Sequence, residues 1–233
     1  MLLQLEKDLQ QLGSPKKAAF LCRFFKTGKG QYGEGDIFLG ITMPEIREIV
    51  KKYSTLTIEE WTELLHSPYH EFRMTALIGL MKRFQKSKKD ETTQHIIFEI
   101  YLSNLDYINN WDLVDVTCRD IVGAYLLNKD RSILYELAQR PYLWAQRVAI
   151  VSTWYFISRN QFSDTIRIAE ILLTHTHDLI HKAVGWMLRE VGKHDELVLE
   201  EFLDTHVKQM PRTALRYAIE RFPEPKRKYY LTL

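Results

Sequence analysis

The feature that most constrains this chain is a recurring helical segment in which one basic residue is followed by small and apolar ones. It occurs as "EFRMTAL", "AQRVAIV", "IHKAVGW" and "PRTALRY", with the basic position at Arg73, Arg147, Lys182 and Arg212. The intervals are 74 (two steps of 37), 35 and 30, and the skipped step falls near "INNWDLVDV". A period of that length with helix-turn-helix content predicts an all-α protein, an α-solenoid of HEAT-like repeats built as a single domain over residues 1–233. The rival is an irregular all-helical domain.

The local signals agree. In "HEFRMTALIGLMKRF" the residues Phe72, Ala76, Leu77, Leu80 and Phe84 recur three or four apart, which predicts one buried stripe. Thr57 and Glu60 form a capping-box pair ahead of "IEEWTELL". Five prolines (Pro15, Pro44, Pro68, Pro141 and Pro211) stand just ahead of helical patterns, where a missing N–H costs nothing. The only strand candidate is the short "DIFLGI".

Charge narrows the function. Lys+Arg 32 against Asp+Glu 30 gives a net +2, too little to argue nucleic-acid binding by itself. Any basic surface must come from segregation. In a solenoid each repeat sets its basic residue at the same place on the inner helix, so these residues form a row along a concave face. Such a row suits a long polyanion. Cys22 and Cys118 are far apart and read as buried thiols in a reducing compartment. Glu6 and Asp8 interrupt any signal-peptide core, and no run approaches the roughly 18 apolar residues of a membrane span. The expectation is a cytoplasmic protein of the bacterial cytosol or nucleoid.

"GKGQYGEGDIFLG" contains G-x-G-x-x-G at Gly28, Gly30 and Gly33. A dinucleotide loop needs a strand before it and a helix opening within it. Here "KKAAFLCRFFKT" reads as a helix and the next helix begins near Pro44, so the glycines are expected to form a compact turn and no nucleotide cofactor is expected. His175, His177 and His181 in "THTHDLIHK" lack the further ligands of a structural zinc site, so no metal is expected and they read as loop and helix-start residues. The run "KRFQKSKK" reads equally as a solvated helix end or a phosphate contact.

Taken together, "GKGQYGEGDIFLGITMPEIREIVKKY", "HEFRMTAL" and "NNWDLVD" resemble the AlkD-type DNA alkylation repair family, over almost the whole chain to "PRTALRYAIERFP". The resemblance implies a HEAT-like solenoid that excises N3- and N7-alkylated purines (3-methyladenine, 7-methylguanine) from double-stranded DNA without a cofactor, as a monomer and without base flipping. It places the catalytic residues at Trp111, Asp115 and Trp186, with Arg147 on a backbone phosphate. Lys182, Arg212, Arg216 and Arg73 complete the expected DNA-binding set. The spacing i, i+4 puts Trp111 and Asp115 on one helical face, whereas Asp112 reads as a first-turn residue. Trp61, Trp144 and Trp154 read as packing. The alternative function is a non-catalytic DNA- or protein-binding scaffold.

Overall fold

A computed structural model describes residues 1–233. Chain contacts divide it into two compact units, Met1–Thr117 and Cys118–Leu233. Both are helical, and the chain forms no strand; "DIFLGI" contributes only a single bridge between Ile37 and Tyr69. The candidate forms no more than that bridge because its amides go elsewhere, as described below.

The first unit runs α1 (Leu2–Leu12), α2 (Pro15–Phe24), α3 (Met43–Lys52), α4 (Ile58–Leu65), α5 (His70–Lys86), α6 (Glu91–Ser103) and α7 (Trp111–Cys118). Its starts follow the cap rules. Thr42 with Glu45 and Thr57 with Glu60 close capping boxes on α3 and α4, and the Asp90 carboxylate accepts from the Thr93 amide at α6. Pro15 and Pro44 occupy the first turns of α2 and α3.

The core of this unit is α5, which packs against α3, α4 and α6. Every residue from His70 to Met81 is buried, not just one stripe. The amphipathic expectation fails here because the loop at residues 36–41 covers the side that periodicity assigns to solvent. Glu71 receives that loop, accepting from the amides of Leu39 at 2.9 Å, Gly40 at 2.7 Å and Ile41 at 3.2 Å. Gly40 has φ +84, and a Cβ there would sit 2.3 Å from the Ser14 carbonyl oxygen, so no other residue fits this crossing.

Beyond Cys118 the chain continues as a π-turn, Arg119–Gly123. The second unit then runs α8 (Ala124–Leu126), α9 (Ser132–Gln139), α10 (Leu143–Ser152), α11 (Trp154–Ile157), α12 (Ser163–Ile171), α13 (Asp178–His194), α14 (Glu196–His206), α15 (Arg212–Ala218) and α16 (Glu224–Thr232). Within it α13 is central, packed on α10, α11, α12, α14 and α15. Its buried positions, among them Ile180, Ala183, Val184, Met187, Leu188 and Val191, recur three or four apart and leave a polar face.

Candidate active site

The glycine loop does not cradle an anion. Its amides are already taken: Gly28 donates to the Gln31 side chain at 3.0 Å, Gly30 to the Glu34 carboxylate at 2.6 Å, and Gly33 to the Lys26 carbonyl at 3.2 Å. The segment before it is α2, and Gly30, Gly35 and Gly40 adopt positive φ, as a compact turn requires.

What the loop delivers is Asp36, 8% exposed. Its carboxylate accepts from His70 Nδ1 at 3.0 Å, from Asn110 Nδ2 at 3.2 Å and from the Arg73 guanidinium. On its other side His70 Nε2 donates to Asp112 Oδ2 at 2.9 Å. One buried cluster thus joins the loop, α5 and the start of α7. Burial by itself pulls the His70 pKa down, but the Asp112 and Asp36 carboxylates outweigh it and hold the imidazolium up to about 9. Burial pushes Asp36 up, while His70 and Arg73 together bring it below the usual carboxylate range. The cluster is therefore ionic at neutral pH, with two cations facing two carboxylates.

This cluster fixes the N-terminus of α7, where the Asn110 side chain also accepts from the Trp111 amide at 2.8 Å. Trp111 opens the helix and Asp115 follows one turn later; both are half-buried, neither sealed in the core nor fully solvated. The Trp111 ring packs against Phe25 at 5.2 Å and Phe24 at 6.0 Å between centroids. Phe25 in turn lies 5.3 Å from the His70 ring. The indole is thereby held from the aromatic side and the helix from the ionic side.

Within the second unit Trp186 lies on α13, half-buried, with its ring 5.1 Å from Trp154 in an edge-on arrangement. The Arg119 guanidinium stacks 4.5 Å over Trp154. Trp154 therefore supports Trp186, a role the sequence reading does not assign to it. The available signal is its distance of 32 residues from Trp186, one repeat period. Trp61 and Trp144 are core residues, as expected.

The basic row divides in two. Arg73, Arg147 and Lys182 do fall near the starts of α5, α10 and α13, and Arg212 opens α15, so the repeat register is real. Exposure does not follow it. Arg73 is 3% exposed, and its guanidinium is consumed by Asp36, Asn109 and the carbonyls of Ser67 and Pro68. It is a core cation, and its burial counts against the expected DNA contact. Arg147 is 5% exposed, with Nη1 donating to the Leu179 carbonyl, which ties α10 to α13. In both, burial directs terminal guanidinium donors to acceptors of the protein, while Arg73 Nε is left without one. Lys182 remains accessible beside Asp178, at 2.7 Å, and Arg212 and Arg216 are exposed.

The histidines behave as helix-start residues. His177 caps α13 by accepting from the Leu179 amide, His175 pairs with Gln146 at 3.0 Å, and His181 bonds the His175 carbonyl. Cys118 is buried and Cys22 half-buried, both as free thiols.

A family model described as "DNA alkylation repair enzyme" matches residues 5–222. The chain belongs to the DNA alkylation repair enzyme family. Among solved structures, a chain described as a predicted DNA alkylation repair enzyme from Enterococcus faecalis matches with a TM-score of 0.71 and 19% identity, covering 91% of this chain and 97% of that one. At that identity the likeness shows the fold, which is all-α and HEAT-like. No curated protein matches the chain. Membership assigns a role in alkylation repair, with DNA as the partner, and no helix is long and apolar enough to cross a membrane.

Proposed function

We propose that this member of the alkylation repair family is a DNA glycosylase that excises cationic N3- and N7-alkylated purines, 3-methyladenine and 7-methylguanine, from duplex DNA by hydrolysis. The observation that carries the reading is Asp115, one turn after Trp111 on a helix whose start is locked by a buried ionic cluster.

Alkylation at N3 or N7 makes the purine a cationic leaving group, so bond cleavage builds positive charge on the sugar. A carboxylate held at fixed position stabilises that oxocarbenium character and orients the attacking water. In this assignment Asp115 supplies the charge and accepts the water's proton. Trp111 and Trp186 offer aromatic faces to the cationic sugar and base, each worth roughly 0.5–2 kcal/mol. Half-burial leaves the field of the Asp115 carboxylate less screened than at the open surface.

Lys182, Arg212 and Arg216 are the phosphate contacts in this reading; Arg73 and Arg147 are left out of it because they are buried. The lesion need not leave the stack, since phosphate contacts position the duplex and carry no sequence reading. The proposed setting is cytosolic, with the protein acting as a monomer and without cofactor or metal.

The competing reading is a non-catalytic binding scaffold, and the loss of two cations from the basic row is the observation on its side. Incubating the purified protein with methylated duplex DNA separates the two. The glycosylase reading expects free 7-methylguanine or 3-methyladenine in solution; binding without release of either base would leave the scaffold.

A further inference from the structure

A cavity of about 410 Å³ opens in the first unit between α3, α4 and α5, and no residue of α7 lines it. Its rim carries Arg47 and Lys51 from α3, and Lys82, Arg83 and Lys86 from α5, all exposed. No carboxylate lines it. Its floor is apolar, formed by Val50, Trp61 and Ile78, the outer edge of the core. At Gly79 a Cβ would lie 2.5–2.7 Å from the Trp61 ring, so only a glycine lets the indole pack directly on the α5 backbone.

Five cations around one opening repel each other, and nothing in the wall offsets them. Arg47 and Lys51, like Lys82 and Lys86, are spaced i, i+4 and present their charges one helical turn apart on each side of the opening. A ligand with a single carboxylate would answer one of the five. A ligand with several negative charges and one flat apolar group answers both the rim and the floor. The volume is that of a small-molecule site.

We propose that this cavity binds a nucleotide, with the base over the Trp61–Ile78 floor and the phosphates on the rim. The same chemistry is offered by a free nucleoside triphosphate and by an unpaired nucleotide of a DNA strand. The site is independent of the glycosylase reading and stands or falls without it.

Calorimetric titration of the full chain with dATP, single-stranded oligothymidylate, blunt duplex and inorganic tripolyphosphate tests it. The expected result is that dATP or the oligothymidylate binds about tenfold more tightly than tripolyphosphate, or more, and the tighter of the two identifies the source. Lys82→Glu combined with Lys86→Glu, both exposed, should weaken that binding at least about tenfold. Ser54→Trp, which fills the cavity from an exposed lining position, should abolish the advantage over tripolyphosphate. Equal affinity for dATP and tripolyphosphate, no binding by either nucleotide probe, or binding unchanged in the charge-reversed variant would each overturn the proposal.

Discussion

Helices α5 and α13 are the same length, 17 residues, and each carries the repeat's basic residue within its first five positions, Arg73 in one and Lys182 in the other. Yet α5 is enclosed on every side through its first three turns, while α13 keeps a polar face. The difference lies in the segment that packs over each helix start. Over α5 lies the loop at residues 36–41, which leads into α3 in the chain and delivers Asp36, the partner of both Arg73 and His70. Ahead of α13 the histidine segment only caps the helix, and Lys182 meets Asp178 on its own surface turn. A repeat thus sets the register of a charge, and the neighbouring segment decides whether that charge is structural or available to a partner.

The comparison is broken most severely at Arg73. Replacing it with Met leaves Asp36 buried against fewer cations and should cost about 3–5 kcal/mol in denaturant unfolding. Lys182→Met should stay within about 0.5 kcal/mol of wild type in the same assay. Equal costs for the two would erase the distinction.

His70 gives the next largest effect and is read through pH. Its folded pKa of about 9 lies above the ordinary value of 6.5, so its stabilisation is complete below pH 6.5 and fades as pH rises through 9. The wild type should lose about 3 kcal/mol across that window, and His70→Gln, starting less stable, should lose much less of it. Asp36 acts with the opposite sign: its pKa is lowered, so its contribution is present above its ordinary 3.8 and is lost on acidification. Parallel pH curves for wild type and His70→Gln would contradict a charged imidazole at this position.

Smaller effects concern the exposed cations. Arg212→Gln with Arg216→Gln should lower the slope of log binding constant against log salt for duplex DNA by about 2, and Lys182→Met by about 1, with little change in stability. The buried Arg147 falls outside that series. An unchanged slope in both variants would move the DNA contact elsewhere.

Much of the architecture is legible in the sequence because helices write their own boundaries. Pro15, Pro44, the Thr57–Glu60 box and the spacing of Leu77, Leu80 and Phe84 act within a few residues of themselves. The glycine turn is legible for the same reason. The buried cluster is not: Asp36, His70 and Asp112 are separated by 34 and 42 residues, and no local pattern marks three polar residues as partners. The same limit hides the fate of Arg73 and Arg147, whose register is periodic but whose acceptors are the Asp36 carboxylate and the Leu179 carbonyl. Trp154 is half legible, since its period with Trp186 is visible and its edge-on contact is not.

The account rests on α7 holding a carboxylate where positive charge develops on the sugar. Single-turnover release of 7-methylguanine from methylated duplex, comparing wild type with Asp115→Asn at matched DNA binding and matched melting temperature, tests this most directly. The account predicts a fall of about 10²–10³-fold in the rate, the scale of removing one preorganised electrostatic group. A rate within about twofold of wild type would show that the chemistry is done without Asp115.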